Sequence, residues 1–243
     1  MRRIRQIPRI PDEIVFATIQ PVMFVLLFRF VFASIPVPPG VSYVNYLMAG
    51  IFIQTIIFGA TTTGVGLAQD LERGLIDRFR SLPMAKSAVL TGRTLADLAR
   101  NFVVVIVMLV VGLLVGFNPQ GSPLGWLAAF GVILLVSFAF SWVSATMGLL
   151  VHSVEAAQSV GFIWLFPLTF ASSAFVQVQF ITPDWLQWFA ARQPVSIFID
   201  AVRAWTLGQP VGNDGWLSLA WCAGILVVFI PLSVWLYGRR VSR

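Results

Sequence analysis

The chain has 243 residues, of which 58% are hydrophobic and only 11% charged, and its mean hydropathy is +0.87. A soluble domain carries about a quarter charged residues, so this chain lacks the charge to cover a water-facing surface and reads as an all-α polytopic membrane protein. Sixteen basic against 10 acidic residues give a net charge of +6, but no basic face interleaved with aromatics exists outside the apolar runs, which excludes nucleic acid as a partner.

Cys222 and His152 are the only residues of their kinds. One thiol excludes an intrachain disulfide, and one of each falls short of the three or four ligands of a zinc site.

Residues 1–13 are basic, with Ile4, Ile7 and Ile10 at a period of three, which suits short helical fragments on the inner headgroups, limited by Pro8 and Pro11. Six apolar runs follow, at residues 14–35, 46–68, 95–117, 124–151, 156–178 and 216–237. Each is long enough for a span of about 20 residues. The first is too long for a signal peptide and carries Arg29, so it reads as a retained anchor. With the N-terminus inside, the inner segments hold twelve basic residues and the outer loops two, Arg192 and Arg203, which places both termini in the cytoplasm of a multi-pass protein of the cell's inner (plasma) membrane.

Two segments are neither span nor passive loop. In residues 69–93, Leu71, Leu75, Ile76 and Phe79 fall on one face of a short helix while Asp70, Glu72, Arg73, Asp77, Arg78 and Arg80 cover the rest, and Pro83 ends it. The residues leave two readings open: a cytoplasmic helix docking a partner, or a helix resting on lipid headgroups. In residues 181–205, Trp185, Trp188 and Phe189 recur at i, i+3, i+4, and Phe198, Val202 and Trp205 at i, i+4, i+7, with Pro194 between. They predict two short helices lying in or dipping into the outer leaflet.

Isolated polar residues carry weaker signals. Arg29, about two-thirds along the first run, either snorkels outward or pairs with an external carboxylate such as Asp200. Arg93, Asp97 and Arg100 predict an ion-pair ladder within one helix. Gly112 and Gly116 predict close helix packing within the chain.

The set Glu72-Arg73-Gly74, Asp77-Arg78, Arg80-Ser81-Leu82-Pro83-Met84, Val89-Leu90-Thr91-Gly92-Arg93 and Asp97, followed by Glu155-Ala156-Ala157-Gln158, Phe166-Pro167-Leu168 and Gln193-Pro194-Val195, resembles the type-two ABC exporter permeases, daunorubicin-resistance branch. The resemblance implies one transmembrane permease domain over 1–243. Its parts are an interfacial segment (1–13), two spans (14–68), a coupling loop (69–93), three spans (94–178), external helices (179–215), and a sixth span with a basic tail (216–243). It implies that Asp70, Leu71, Glu72, Arg73, Gly74, Leu75, Asp77, Arg78, Phe79, Arg80 and Pro83 seat on an ATPase subunit, two copies of which join two permease copies as a homodimer. ATP and magnesium would then sit on the partner, and this chain would bind no cofactor. The chain's own residues agree, because the lone Lys86-Ser87 pair has Ala85 and Arg80 where a phosphate loop needs glycine.

Drug efflux by alternating access follows from the same resemblance. The cargo path is expected along Arg29, Gln54, Thr55, Thr62, Phe166, Phe170, Ser172 and Ser173. Few charges line the spans, which favours amphiphilic, lipid-like or natural-product cargo. A polysaccharide or teichoic-acid exporter is the alternative, favoured if aromatic rings line the path densely. An intramembrane lipid-modifying enzyme would need a buried nucleophile, base or metal set. A secondary transporter would need mid-span carboxylates. Neither is evident in the sequence.

Overall fold

The computed structural model describes residues 9–31, 36–72 and 86–241. Among the described residues the secondary structure is helical throughout. The helices are α1 (Arg9–Val31), α2 (Tyr43–Glu72), α3 (Lys86–Leu114), α4 (Pro123–Leu150), α5 (Val154–Phe170), α6 (Asp184–Arg192), α7 (Pro194–Leu207) and α8 (Asp214–Val241), with a 3-10 turn at Val178–Phe180. Four of these are long and apolar enough to cross a membrane, namely α2, α4 and the stretches Leu90–Leu114 of α3 and Asp214–Arg240 of α8. Pro21–Val31 within α1 and the whole of α5 are shorter apolar helices.

Local chemistry explains most boundaries. Ser122 caps α4 by accepting the Gly125 N–H at 3.1 Å, with Pro123 in the first turn. Ser153 caps α5 through the Ala156 N–H at 3.1 Å. Gly208 ends α7 in the left-handed conformation, φ 69°. Helix α1 runs through Pro11, which sits in its first turn where a missing N–H costs little. The expected fragments before the first span therefore merge into it from Arg9 onward, and residues 1–8 lie outside the described set.

Helix α2 is the centre. It packs most extensively on α4, then on α5, α3 and α7. Leu47, Ile51, Phe52, Ile53, Ile56 and Ile57 are almost wholly buried, against Ile133, Val136 and Phe140 of α4 and Val195, Phe198, Ile199 and Val202 of α7. The tightest crossing uses glycine on both sides. A Cβ on Gly64 would lie 2.3 Å from the Ser144 carbonyl oxygen, and one on Gly148 2.2 Å from that of Gly64. The expected Gly112/Gly116 packing pair divides instead. Gly112 makes room for the Met48 side chain, while Gly116 adopts φ +101° in the turn after α3.

Hydrogen bonds gather the helix ends on two sides. On one side, Arg93 of α3 pairs with Asp70 of α2. There the Val154 N–H donates to Glu72 Oε1 at 2.9 Å, and Arg240 donates to the Leu149 and Val151 carbonyls at 3.2 and 3.0 Å. On the other, the Asn118 N–H donates to Asn45 Oδ1 at 2.8 Å, Gln177 to the Pro36 carbonyl at 3.1 Å, and the Gly121 N–H to the Thr206 carbonyl at 2.9 Å.

Two expectations about the second side change. The fifth apolar run is not helical to residue 178: α5 stops at Phe170 after 17 residues. Of the two expected short helices, α6 is exposed, with Trp185 and Trp188 at 69% and 61%, but α7 is buried along nearly its whole length among α2, α4 and α8.

Candidate functional site

At the side holding the ends of α2 and α3, the described part of the expected coupling segment is Asp70, Leu71 and Glu72, the last turn of α2. Arg73, Gly74, Leu75, Asp77, Arg78, Phe79, Arg80 and Pro83 lie outside the described residues. Glu72 is already engaged: its carboxylate accepts the first N–H of α5, where an acidic group also complements the helix dipole. Ala68, Leu71 and Glu72 line a recess with Val151, His152 and Arg240.

The expected ladder within α3 does not form as drawn. Asp97 and Arg100 do approach each other, at 3.5 Å. Arg93 instead crosses to Asp70. Asp97 accepts the Thr63 hydroxyl, and Arg100 donates to the Thr62 hydroxyl and, at 3.0 Å, to the Gly59 carbonyl. Thr62, expected on the cargo path, thus belongs to the α2–α3 boundary.

Gln54 and Thr55 lie elsewhere on α2. With Pro21 and Phe24 of α1 and Ile51 and Phe58 of α2 they line a pocket without a charged wall. Around it runs a continuous set of phenylalanines. Phe58 touches Phe162 and Phe166, each with centroids 5.8 Å apart. Phe166 stacks on Phe170 at 4.7 Å, Phe170 meets Phe175 at 5.4 Å, and Phe175 stacks on Phe28 at 4.4 Å. Phe28 stacks on Phe24 at 5.9 Å. Phe166 and Phe170 are thus joined by five rings that sequence reasoning did not single out. A signal existed: Phe24/Phe28 and Phe162/Phe166/Phe170 recur every fourth residue, one helix face each. Phe58 and Phe175 carry no such pattern.

Ser172 and Ser173 do not present their hydroxyls to this face. Both are about 2% exposed. Ser172 donates to the Thr169 carbonyl at 2.5 Å, closing the end of α5. Ser173 donates to Asp200 at 2.8 Å, and its carbonyl accepts from Tyr46 Oη at 2.9 Å and from Arg203 at 2.6 Å. Arg203 also pairs with Asp200 at 2.5 Å, donates to the Tyr46 carbonyl at 3.1 Å and lies over the Tyr46 ring at 3.7 Å. Gln193 donates to the Leu168 carbonyl at 3.0 Å. These side chains satisfy the non-helical strap after α5, as backbone away from water requires. Gly50 lets it lie against α2, since a Cβ there would meet Ala174 at 2.5 Å. Asp200 is therefore taken by Arg203 and Ser173, not by Arg29. Arg29 sits half-buried in the last turn of α1 and does not line the pocket.

A helical bundle with charged groups gathered at one end, a charge-free aromatic face and a buried strap at the other end is the setting in which the likeness to known proteins becomes decisive. Residues 1–207 match the ABC-2 type transporter family. The chain belongs to that family. Among relatives of this ABC-2 chain, the daunorubicin resistance ABC transporter permease protein DrrB1 of Streptomyces coeruleorubidus is 30% identical over 230 residues, covering 95% of this chain and 81% of the relative. A protein named "Probable doxorubicin resistance ABC transporter permease protein DrrC" from Mycobacterium tuberculosis is 28% identical over 235 residues, covering 91% and 80%. This ABC-2 chain is accordingly a multi-pass permease subunit of an ABC exporter: it transports, and a separate ATPase subunit hydrolyses ATP.

Proposed function

We propose that this permease moves an amphiphilic, drug-like or lipid-like compound outward by alternating access, and that the compound rests against the phenylalanine face beside Gln54 and Thr55. The observation that carries the reading is the unbroken run of rings from Phe162 to Phe24 bordering a pocket whose polar groups are one amide and one hydroxyl. Such a surface rewards apolar, flat contact area and offers little to an ion. Phe166 and Phe170 remain 48% and 38% exposed, open to cargo or to a second copy. The names of the relatives, which speak of daunorubicin and doxorubicin resistance, support cargo of that class.

The rest of the reading is mechanical. Helices α1 to α5 and α8 make six crossings, with both termini in the cytoplasm. Two permease copies enclose the path. Residues 70–83 seat on the ATPase, which keeps ATP and magnesium to itself in two copies. The alternation of helix ends and the twelve-to-two basic bias support this arrangement. Ring density also speaks for the polysaccharide or teichoic-acid alternative. Sugar hydroxyls, however, need many hydrogen-bond partners, and here the rings are all phenylalanine.

The test is reconstitution with the ATPase subunit in proteoliposomes and ATP-driven export of daunorubicin. Phe166→Ala and Phe170→Ala should each lower apparent cargo affinity roughly 3–10-fold, the value of one aromatic contact, while ATPase turnover without cargo persists. Unchanged export in both variants, or export of a sugar polymer alone, would overturn the cargo site.

A further inference from the structure

The boundary between α2 and α3 is polar where most helix contacts in the molecule are apolar. Four residues of α3 meet α2 in antiparallel order. Arg93 pairs with Asp70, and Asp97 takes the Thr63 hydroxyl. Arg100 reaches Thr62 and the Gly59 carbonyl, and Asn101 faces Gly59 while donating to Ser137 of α4 at 2.8 Å.

Glycine shapes the receiving side. A Cβ on Gly66 would fall 1.6 Å from the Arg93 guanidinium, and one on Gly59 2.7 Å from Asn101 Oδ1. Two notches seven residues apart on α2 thus accept side chains eight residues apart on α3.

Such a seam fixes register. Sliding α3 along α2 by one turn would carry Asp97 and Arg100, with side chains 15% and 21% exposed, away from the Thr63 and Thr62 hydroxyls and the Gly59 carbonyl, leaving the pair only each other, and half-buried polar groups stripped of partners are costly. It would also drive Arg93 out of its notch. An apolar ridge-and-groove boundary has no comparable penalty.

We infer that α2 and α3 move as one body during transport, with Asp70, Arg93, Asp97 and Arg100 as the positioning residues that lock them. The inference rests on the reading that residues 70–83, strung between these helices, take up the thrust of the ATPase. A push on that segment then reaches both helices together instead of being lost as slip between them.

The test uses the reconstituted complex of full-length permease and ATPase, with daunorubicin as cargo. A Thr63→Cys/Asp97→Cys chain, with Cys222→Ala, is joined across the seam by a short bifunctional thiol reagent. Because Asp97 is one of the locking residues, export per ATP should be lowered in this chain before joining and restored by it. Loss of export on joining, with ATP hydrolysis continuing, would overturn the proposal, because the helices would have to slide.

Loosening the seam gives the converse. Asp70→Arg alone should lower export per ATP about tenfold, a coupling of ordinary size, and Arg93→Asp added to it should restore most of the loss. A merely structural role would lower protein yield and leave that ratio unchanged. An unchanged ratio in the single variant, or no recovery in the swapped pair, would likewise overturn it. Failure of the docking reading shows separately, as undiminished co-purification of the ATPase with a chain lacking residues 71–79.

Discussion

Arg203 shows how far a residue's position along the chain can mislead about its surroundings. Sequence makes it one of two outward basic residues, and orientation counting treats it as exposed. In the fold it is 7% exposed and serves three elements at once: Asp200 of its own helix, the Tyr46 carbonyl and ring of α2, and the Ser173 carbonyl of the strap. Replacing it by methionine, of similar length, keeps the apolar contact and removes the donors. The two carbonyls then lose bonds they have no water to replace. Arg203→Met should cost roughly 1–3 kcal/mol, read as a lower melting temperature of the purified protein in detergent. Glu72 teaches a related lesson. Its charge reads as a docking group, yet the carboxylate also closes the first turn of α5. Glu72→Gln keeps an acceptor for that turn and is the cleaner probe of the charge.

Among elements, the crossing of α2 and α4 makes the most specific demand on sequence. At Gly64 and Gly148 the obstacle to a side chain is backbone on the opposite helix, which cannot rotate away. Gly64→Ala and Gly148→Ala should each destabilise by about 1–3 kcal/mol, as overpacking does, or reduce the recovered folded protein. Gly131→Ala and Gly224→Ala, at which an added Cβ meets nothing within 4 Å, are the controls and should be neutral in the same melting assay. Sequence pointed to a different pair, Gly112 and Gly116, because the four-residue spacing is visible along one chain, whereas a pair 84 residues apart on two helices is not. The helices themselves were readable: long apolar runs bounded by Ser-Pro, Pro-Val and Trp-rich signals lie within a few residues of the observed elements. The end of α5 was not, since residues 171–178 are as apolar as a span. Distant donors satisfy the backbone where the helix stops: Gln193 bonds the Leu168 carbonyl in its last turn, and Tyr46 and Arg203 bond the Ser173 carbonyl in the strap beyond it.

For the whole molecule the orientation reading makes a direct forecast. On a Cys222→Ala background, a cysteine at Asn213, in the loop before α8, should react with a membrane-impermeant maleimide in intact cells. One at His152, in the turn between α4 and α5, should react only in inverted vesicles. The reverse pattern would turn the permease over. Composition sufficed for the membrane class, and charge placement supplies the orientation that this labelling tests. The family was legible in the ordered motifs around residues 72–97. Of the expected cargo residues, Gln54 and Thr55 share one pocket and Phe166 and Phe170 stand in the ring set beside it, because their helices cross there. Thr62 and Ser173 are drawn off by partners on other helices, which no pattern along one strand of sequence discloses, and Ser172 closes the end of α5.

The length of α2 has a further consequence. Its 30 residues extend about 45 Å, against a hydrocarbon layer of about 30 Å. With Tyr43 and Tyr46 tethered at one end, the surplus emerges at the other as a stalk, braced by α3. If the proposed docking at residues 70–83 holds, a water-soluble motor would take its grip well clear of the lipid, and its work would enter the bilayer through a rod that is already assembled.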